Sequence, residues 1–115
     1  VKDPAGGVYV RNSNDAGWWH EARIGDASAG YLVGATYANL LTKPFDLSAE
    51  VKEKRVKPAG EWNSYELTVK GRSVTLWING AVANEWKGCG VPRGYIGLEV
   101  ERGKVEFRNL KLKAL

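Results

Sequence analysis

Apolar and polar positions alternate along most of this chain with the period of two that marks half-buried strands. The clearest stretch is residues 58–80. Tyr65, Leu67 and Val69 share one side of a first strand, and Val74, Leu76 and Ile78 share one side of a second. Gly71 separates them. Asn79-Gly80 tolerates the positive φ angles of a two-residue type I′ turn, the strongest short hairpin signal. The same reading predicts strands at 8–12, 18–25, 30–37, 64–70, 73–78, 81–86, 94–101 and 104–113. Between Thr42 and Lys57, Asp46-Leu47-Ser48-Ala49-Glu50 resembles a helix start, but Pro44 and Pro58 bracket it. A short helical turn or a long loop is expected there. Short strands punctuated by Gly, Pro and Asn predict an all-β, antiparallel sandwich or barrel. No linker or repeat divides the chain, so residues 1–115 read as a single domain.

Composition narrows the classes. A hydrophobic share of 43%, with five Trp and five Tyr in 115 residues, predicts a packed domain and excludes a disordered chain. No apolar run approaches the ~20 residues of a membrane helix. The chain holds no Met, so Val1 is not expected to be the translation start. The net charge of +4 comes from 17 basic and 13 acidic residues that are interspersed. The densest run, residues 52–57, includes Glu53 and reads as a solvated loop. Neither nucleic acid nor membrane is an expected partner. Cys89 is the only cysteine, so no intrachain disulfide and no Cys-based metal cluster is expected. His20, the only histidine, lies far off in sequence, which argues against a nucleophilic thiol. Among core-parity neighbours His20 reads as a packing residue, and Trp62 reads as core. Asn12, Asn14 and Asp15 lack the distal acid of a calcium loop. No metal or cofactor is expected.

The candidate chemistry lies on the polar side of two strands. Val8 and Val10 read as core, which leaves Tyr9 and Arg11 on the opposite side. Alternation puts Trp19, Glu21 and Arg23 together, with His20, Ala22 and Ile24 on the other face. If these strands are neighbours, two guanidinium groups, one carboxylate and two aromatics share a surface. Aromatic faces stack on sugar C–H surfaces, and Arg and Glu satisfy hydroxyls. The competing reading is a ladder of salt bridges on an exposed strand face, worth ~0.2–1 kcal/mol per pair.

Six segments in order carry a resemblance. They are Gly7-Val8-Tyr9-Val10-Arg11, Glu21-Ala22-Arg23-Ile24-Gly25-Asp26, Gly60-Glu61-Trp62-Asn63, Trp77-Ile78-Asn79-Gly80, Ile96-Gly97-Leu98-Glu99 and Phe107-Arg108-Asn109-Leu110. The chain resembles the C-terminal part of the 3-keto-disaccharide hydrolase family from about residue 7 onward. The resemblance implies a concanavalin A-like, two-sheet jelly-roll sandwich. The family's N-terminal strands have no counterpart here. Open sheet edges are therefore expected, filled by a longer chain or by a second copy in a homo-oligomer. It also implies a secreted or periplasmic protein acting on carbohydrate.

The reaction implied is cleavage of a 3-keto-glycoside by elimination and hydration. A ketone at C3 acidifies the C2 proton, a base removes it, the glycosidic oxygen leaves, and water adds to the enone. By resemblance Arg11, Glu21, Arg23 and Asp26 are the expected substrate-contacting groups; from side-chain chemistry and face pattern Glu21 is the expected base, Arg11 or Arg23 the stabiliser of the enolate-like oxygen, and Asp26 a weaker candidate acid. Tyr9, Arg11, Trp19, Trp77, Glu99 and Glu101 are the expected substrate contacts. Two departures stand out. Arg23 occupies a position where the family usually has Gln, and Glu101 one where it commonly has His. Losing that His favours a non-catalytic carbohydrate-binding module, and the short chain favours a structural or assembly domain; both stay open beside the enzyme.

Overall fold

The computed structural model describes residues 5–15, 17–25 and 28–114. Eight strands form among them: β1 (Ala5–Asn12), β2 (Trp19–Ile24), β3 (Leu32–Ala38), β4 (Leu41–Asp46), β5 (Tyr65–Lys70), β6 (Ser73–Ile78), β7 (Ala81–Trp86) and β8 (Tyr95–Arg102). A single 3-10 turn, Ser48–Glu50, is the helical element expected near there. The strands make two antiparallel sheets, ordered β4-β3-β2-β1-β8 and β5-β6-β7. The all-β, two-sheet expectation holds.

The core lies between the sheets. Val74, Leu76 and Ile78, the inward face of β6, are at most 1% exposed and meet Ala22 of β2, Leu32 of β3 and Ala83 of β7. Asn79 and Gly80 take φ of 51° and 86°, the type I′ turn that their types favour. A buried amide, which the alternation did not single out, ties the layers together. Asn84 of β7 accepts a hydrogen bond from Leu32 N at 2.8 Å and donates to the Leu47 and Glu50 carbonyls at 3.3 and 3.2 Å.

Two segments differ from expectation. β4 forms despite Pro44 because it is an edge strand, where a missing N–H faces outward and breaks no ladder. Its hairpin turns through Asn39 and Leu40 at φ of 53° and 64°, with no Gly to announce it. Conversely, the predicted strand at 104–113 does not form. Val105 and Phe107 still point inward, but the segment runs along the sandwich without a ladder partner. Trp62 is not core either: it is 46% exposed, and Arg108 stacks 3.7 Å over its ring.

β8 and β5 are edge strands of their sheets, and residues of both line one cleft. It measures about 1240 Å³ and is lined by Val8, Tyr65, Leu67, Leu98, Phe107 and Leu112. Ile96 and Leu98 of β8 line it and remain 58% and 44% exposed, and Val100, next in their row, is 51% exposed. The inward row of β8 is therefore only half covered.

Candidate functional site

The site begins with register. On β1, Val8 pairs with Ala22 and Leu98, and this row faces the core. The neighbouring rows face outward. Tyr9 lies opposite Glu21 of β2 and Gly97 of β8, and Gly7 lies opposite Arg23 of β2 and Glu99 of β8. The central strand thus puts a glycine where its neighbours carry charge, and long side chains lie across it.

Glu21 leans over Gly7. A Cβ at position 7 would stand 2.6 Å from Glu21 Cγ and 2.7 Å from Cδ, so only glycine leaves room for this rotamer. Glu21 is 4% exposed although it sits on the outer face. Arg23 Nη1 donates to Glu21 Oε2 at 2.9 Å and, from the same nitrogen, to Glu101 Oε2 at 3.1 Å. Arg102 reaches Glu101 Oε1 at 3.3 Å. Tyr9 packs over Gly97 at ordinary contact distance and donates its hydroxyl to Glu99 Oε1. Trp19 borders a recess of about 310 Å³ with Tyr9, Asn12, Ser13 and Asn14, at the lower limit of ligand-pocket size.

Electrostatics follow from this crowding. Burial pushes the Glu21 carboxyl above the ordinary carboxylate value; Arg23 opposes the rise, and Glu99 and Glu101 add to it. Burial, with the bond to Glu99, also holds the Tyr9 phenol above its usual range, so it stays protonated. The site is a raised carboxylate beside a guanidinium, flanked by a phenol and two further carboxylates. Such a group is a better proton acceptor than an ordinary carboxylate, with a cation placed to meet developing negative charge.

Of the residues named from sequence, Tyr9, Trp19, Glu21, Arg23, Glu99 and Glu101 come together on this face. Arg11 does not. A register shift between Tyr9 and Asn12, with Arg11 at φ of 49°, turns its side chain to the opposite side. Gly94 permits the bulge, because a Cβ there would stand 2.6 Å from Arg11 Cα. Arg11 instead donates to the Gly71 and Val91 carbonyls, the latter at 2.9 Å. Trp77 stands on β6 opposite Leu76 and Ile78, on the outer face of the other sheet. Asp26 lies outside the described residues.

The bulge carries Arg11 to a second polar cluster. His20 is buried, as its core parity suggested; its Nδ1 donates to Val10 O at 3.0 Å and its Nε2 is hydrogen-bonded with Thr36 Oγ1 at 3.0 Å. Cys89 lies 3.7 Å from that nitrogen, a juxtaposition that separation in sequence had argued against. Burial raises the thiol, but the hydrogen bond to His20, a backbone bond at Val91, the charge of His20 and the bond from Arg11 together bring it down to about 7. Cys89 is 1% exposed, so the thiol itself is closed to solvent.

The large cleft is a separate place, because it opens on the inward rows and holds none of the clustered carboxylates. No curated protein and no solved structure matches the chain. The model of the 3-keto-alpha-glucoside-1,2-lyase-like domain matches residues 2–113. With nearly its whole length matched, and a two-sheet all-β fold beneath it, the chain belongs to the 3-keto-alpha-glucoside-1,2-lyase-like domain family.

Proposed function

We propose that this domain cleaves 3-keto-glycosides by elimination across C1 and C2, followed by hydration. The observation that carries this reading is the Glu21 carboxylate, buried on an outward sheet face and raised in pKa while still bonded to a guanidinium. In the reaction, Glu21 removes the C2 proton that the C3 ketone acidifies. The electron pair moves to the C3 oxygen, where Arg23 offsets the charge. As the enolate collapses, the C1–oxygen bond breaks and the leaving oxygen takes a proton, from water or from the protonated Glu21. Water adding to the enone then completes hydrolysis. The recess beside Tyr9 and Trp19 offers an aromatic border for a sugar ring.

A second reading is a carbohydrate-binding module on the same scaffold. Glu101 favours it, since it stands where the resemblance implies His and is already engaged by Arg23. One experiment separates the two. A proton NMR time course of the chain with a 3-keto-disaccharide should show free-sugar anomeric signals that Glu21→Gln abolishes. Line broadening of the ligand without turnover would leave the binding module. Neither turnover nor broadening would end both readings.

A further inference from the structure

Arg23 does not belong to Glu21 alone. Its Nη1 sits between two carboxylates, 2.9 Å from Glu21 Oε2 and 3.1 Å from Glu101 Oε2. The two acids come from different strands: Glu21 from central β2, Glu101 from edge strand β8. The bridge crosses β1 at Gly7, where no side chain stands in the way. We propose that Glu101 is a positioning residue that sets the basicity of Glu21 by competing for the Arg23 guanidinium. The inference rests on Glu21 being the base, but its physical content can be measured without turnover.

The argument is one of divided charge. A guanidinium held by one carboxylate stabilises that anion fully and makes it a weak base. When a second carboxylate takes part of the same nitrogen, the first keeps more of its affinity for a proton. Glu101 also brings a like charge to the same face, which acts in the same direction. Among the described residues, few groups face Glu21. β1 presents Tyr9, which stays protonated; β2 presents Arg23; β8 presents Glu99 and Glu101, with Arg102 behind Glu101; β3 presents Val33. Glu99 is already held by the Tyr9 hydroxyl, whereas Glu101 shares the guanidinium directly. Glu101 is thus the carboxylate best placed to tune Glu21. Its side chain is 44% exposed, so replacing it should leave the core untouched.

The test is a carbon-detected NMR titration of the Glu21 carboxyl in the wild-type chain, Glu101→Gln and Glu101→Asp. Glu101→Gln removes the competing charge, and the Glu21 midpoint should move to lower pH. Glu101→Asp restores the charge and should return the midpoint towards wild type. A Glu21 midpoint unchanged in Glu101→Gln overturns the inference. Kinetics with a 3-keto-disaccharide supply the second readout. The acidic limb of kcat/KM should shift to lower pH in Glu101→Gln, with a plateau lowered roughly two- to five-fold, as expected for a weaker general base. If the wild-type chain shows no turnover, the proposed reaction falls, while the titration still decides whether Glu101 tunes Glu21. Turnover with an unmoved acidic limb would overturn the catalytic role of the tuning.

Discussion

Replacing Gly7 with Ala separates the site from the fold more cleanly than any other single change. The new Cβ would stand 2.6 Å from Glu21 Cγ and 2.7 Å from Cδ. Ordinary carbon contacts begin at ~3.5 Å, so the Glu21 side chain must swing outward by roughly 1 Å or more. That motion breaks the 2.9 Å bond to Arg23. Loss of a charge-assisted hydrogen bond costs ~1.5–3 kcal/mol. Two effects oppose the loss: Ala in a strand interior gains ~0.5–1 kcal/mol over Gly, and a carboxylate whose charge burial disfavours returns to water. The net change in stability should therefore be ~1 kcal/mol or less, a Tm shift of at most roughly 3–6 °C. Activity should respond very differently, because a reacting group displaced by ~1 Å costs about 100-fold. Thermal melts by circular dichroism and NMR turnover assays read the two quantities side by side. Wild-type turnover in Gly7→Ala would refute the placement of Glu21 as the reason for this glycine. A loss of several kcal/mol would show that the backbone, rather than the side chain, gives way.

Three further outcomes follow from the same geometry. Because burial raises the Glu21 pKa, the stability this group contributes is fully present below its unfolded value of 4.5 and fades as pH rises through the folded value; Glu21→Gln should therefore melt higher than wild type at pH 8 and alike at pH 4, and a uniform offset would contradict this. Thr36→Val keeps the shape of a residue that accepts from Gly90 N at 2.9 Å and bonds His20 at 3.0 Å; stranding both groups should cost about 2–4 kcal/mol in urea unfolding, against under ~1 kcal/mol for Thr36→Ser. Leu76→Ala, at a fully buried position, should cost ~2.7–5 kcal/mol, whereas Leu98→Ala at 44% exposure should cost under about 1 kcal/mol; equal losses would mean that the cleft is filled in solution.

Much of this was legible in local pattern. Alternation fixes which side chains share a face, so Tyr9, Trp19, Glu21 and Arg23 group together from the sequence alone. The 65–80 hairpin announced itself through parity and Asn79-Gly80. What escaped depends on partners. The Arg11 side chain crosses the sheet because a bulge inserts one residue, and that bulge needs Gly94, over eighty positions away. β4 hides behind Pro44, since only its edge position makes the missing donor harmless. The segment at 104–113 alternates like a strand, but a strand exists only where another strand pairs with it. His20 and Cys89 meet across the sandwich although 69 positions separate them, a relation that alternation cannot encode.

The strand order also sets how the site would fail. Glu21 and Arg23 stand on β2, hydrogen-bonded on both sides, while Glu99 and Glu101 stand on β8, with one neighbour and a half-covered inward row. Local opening begins where burial is thinnest. Peeling β8 from β1 would release Tyr9 from Glu99 and leave Arg23 to Glu21 alone, with the core at Leu76 and Leu32 intact. On warming, the site would then lose its electrostatic balance below the melting temperature. Inactivation would precede unfolding, and hydrogen exchange at β8 would follow the loss of activity rather than the global transition.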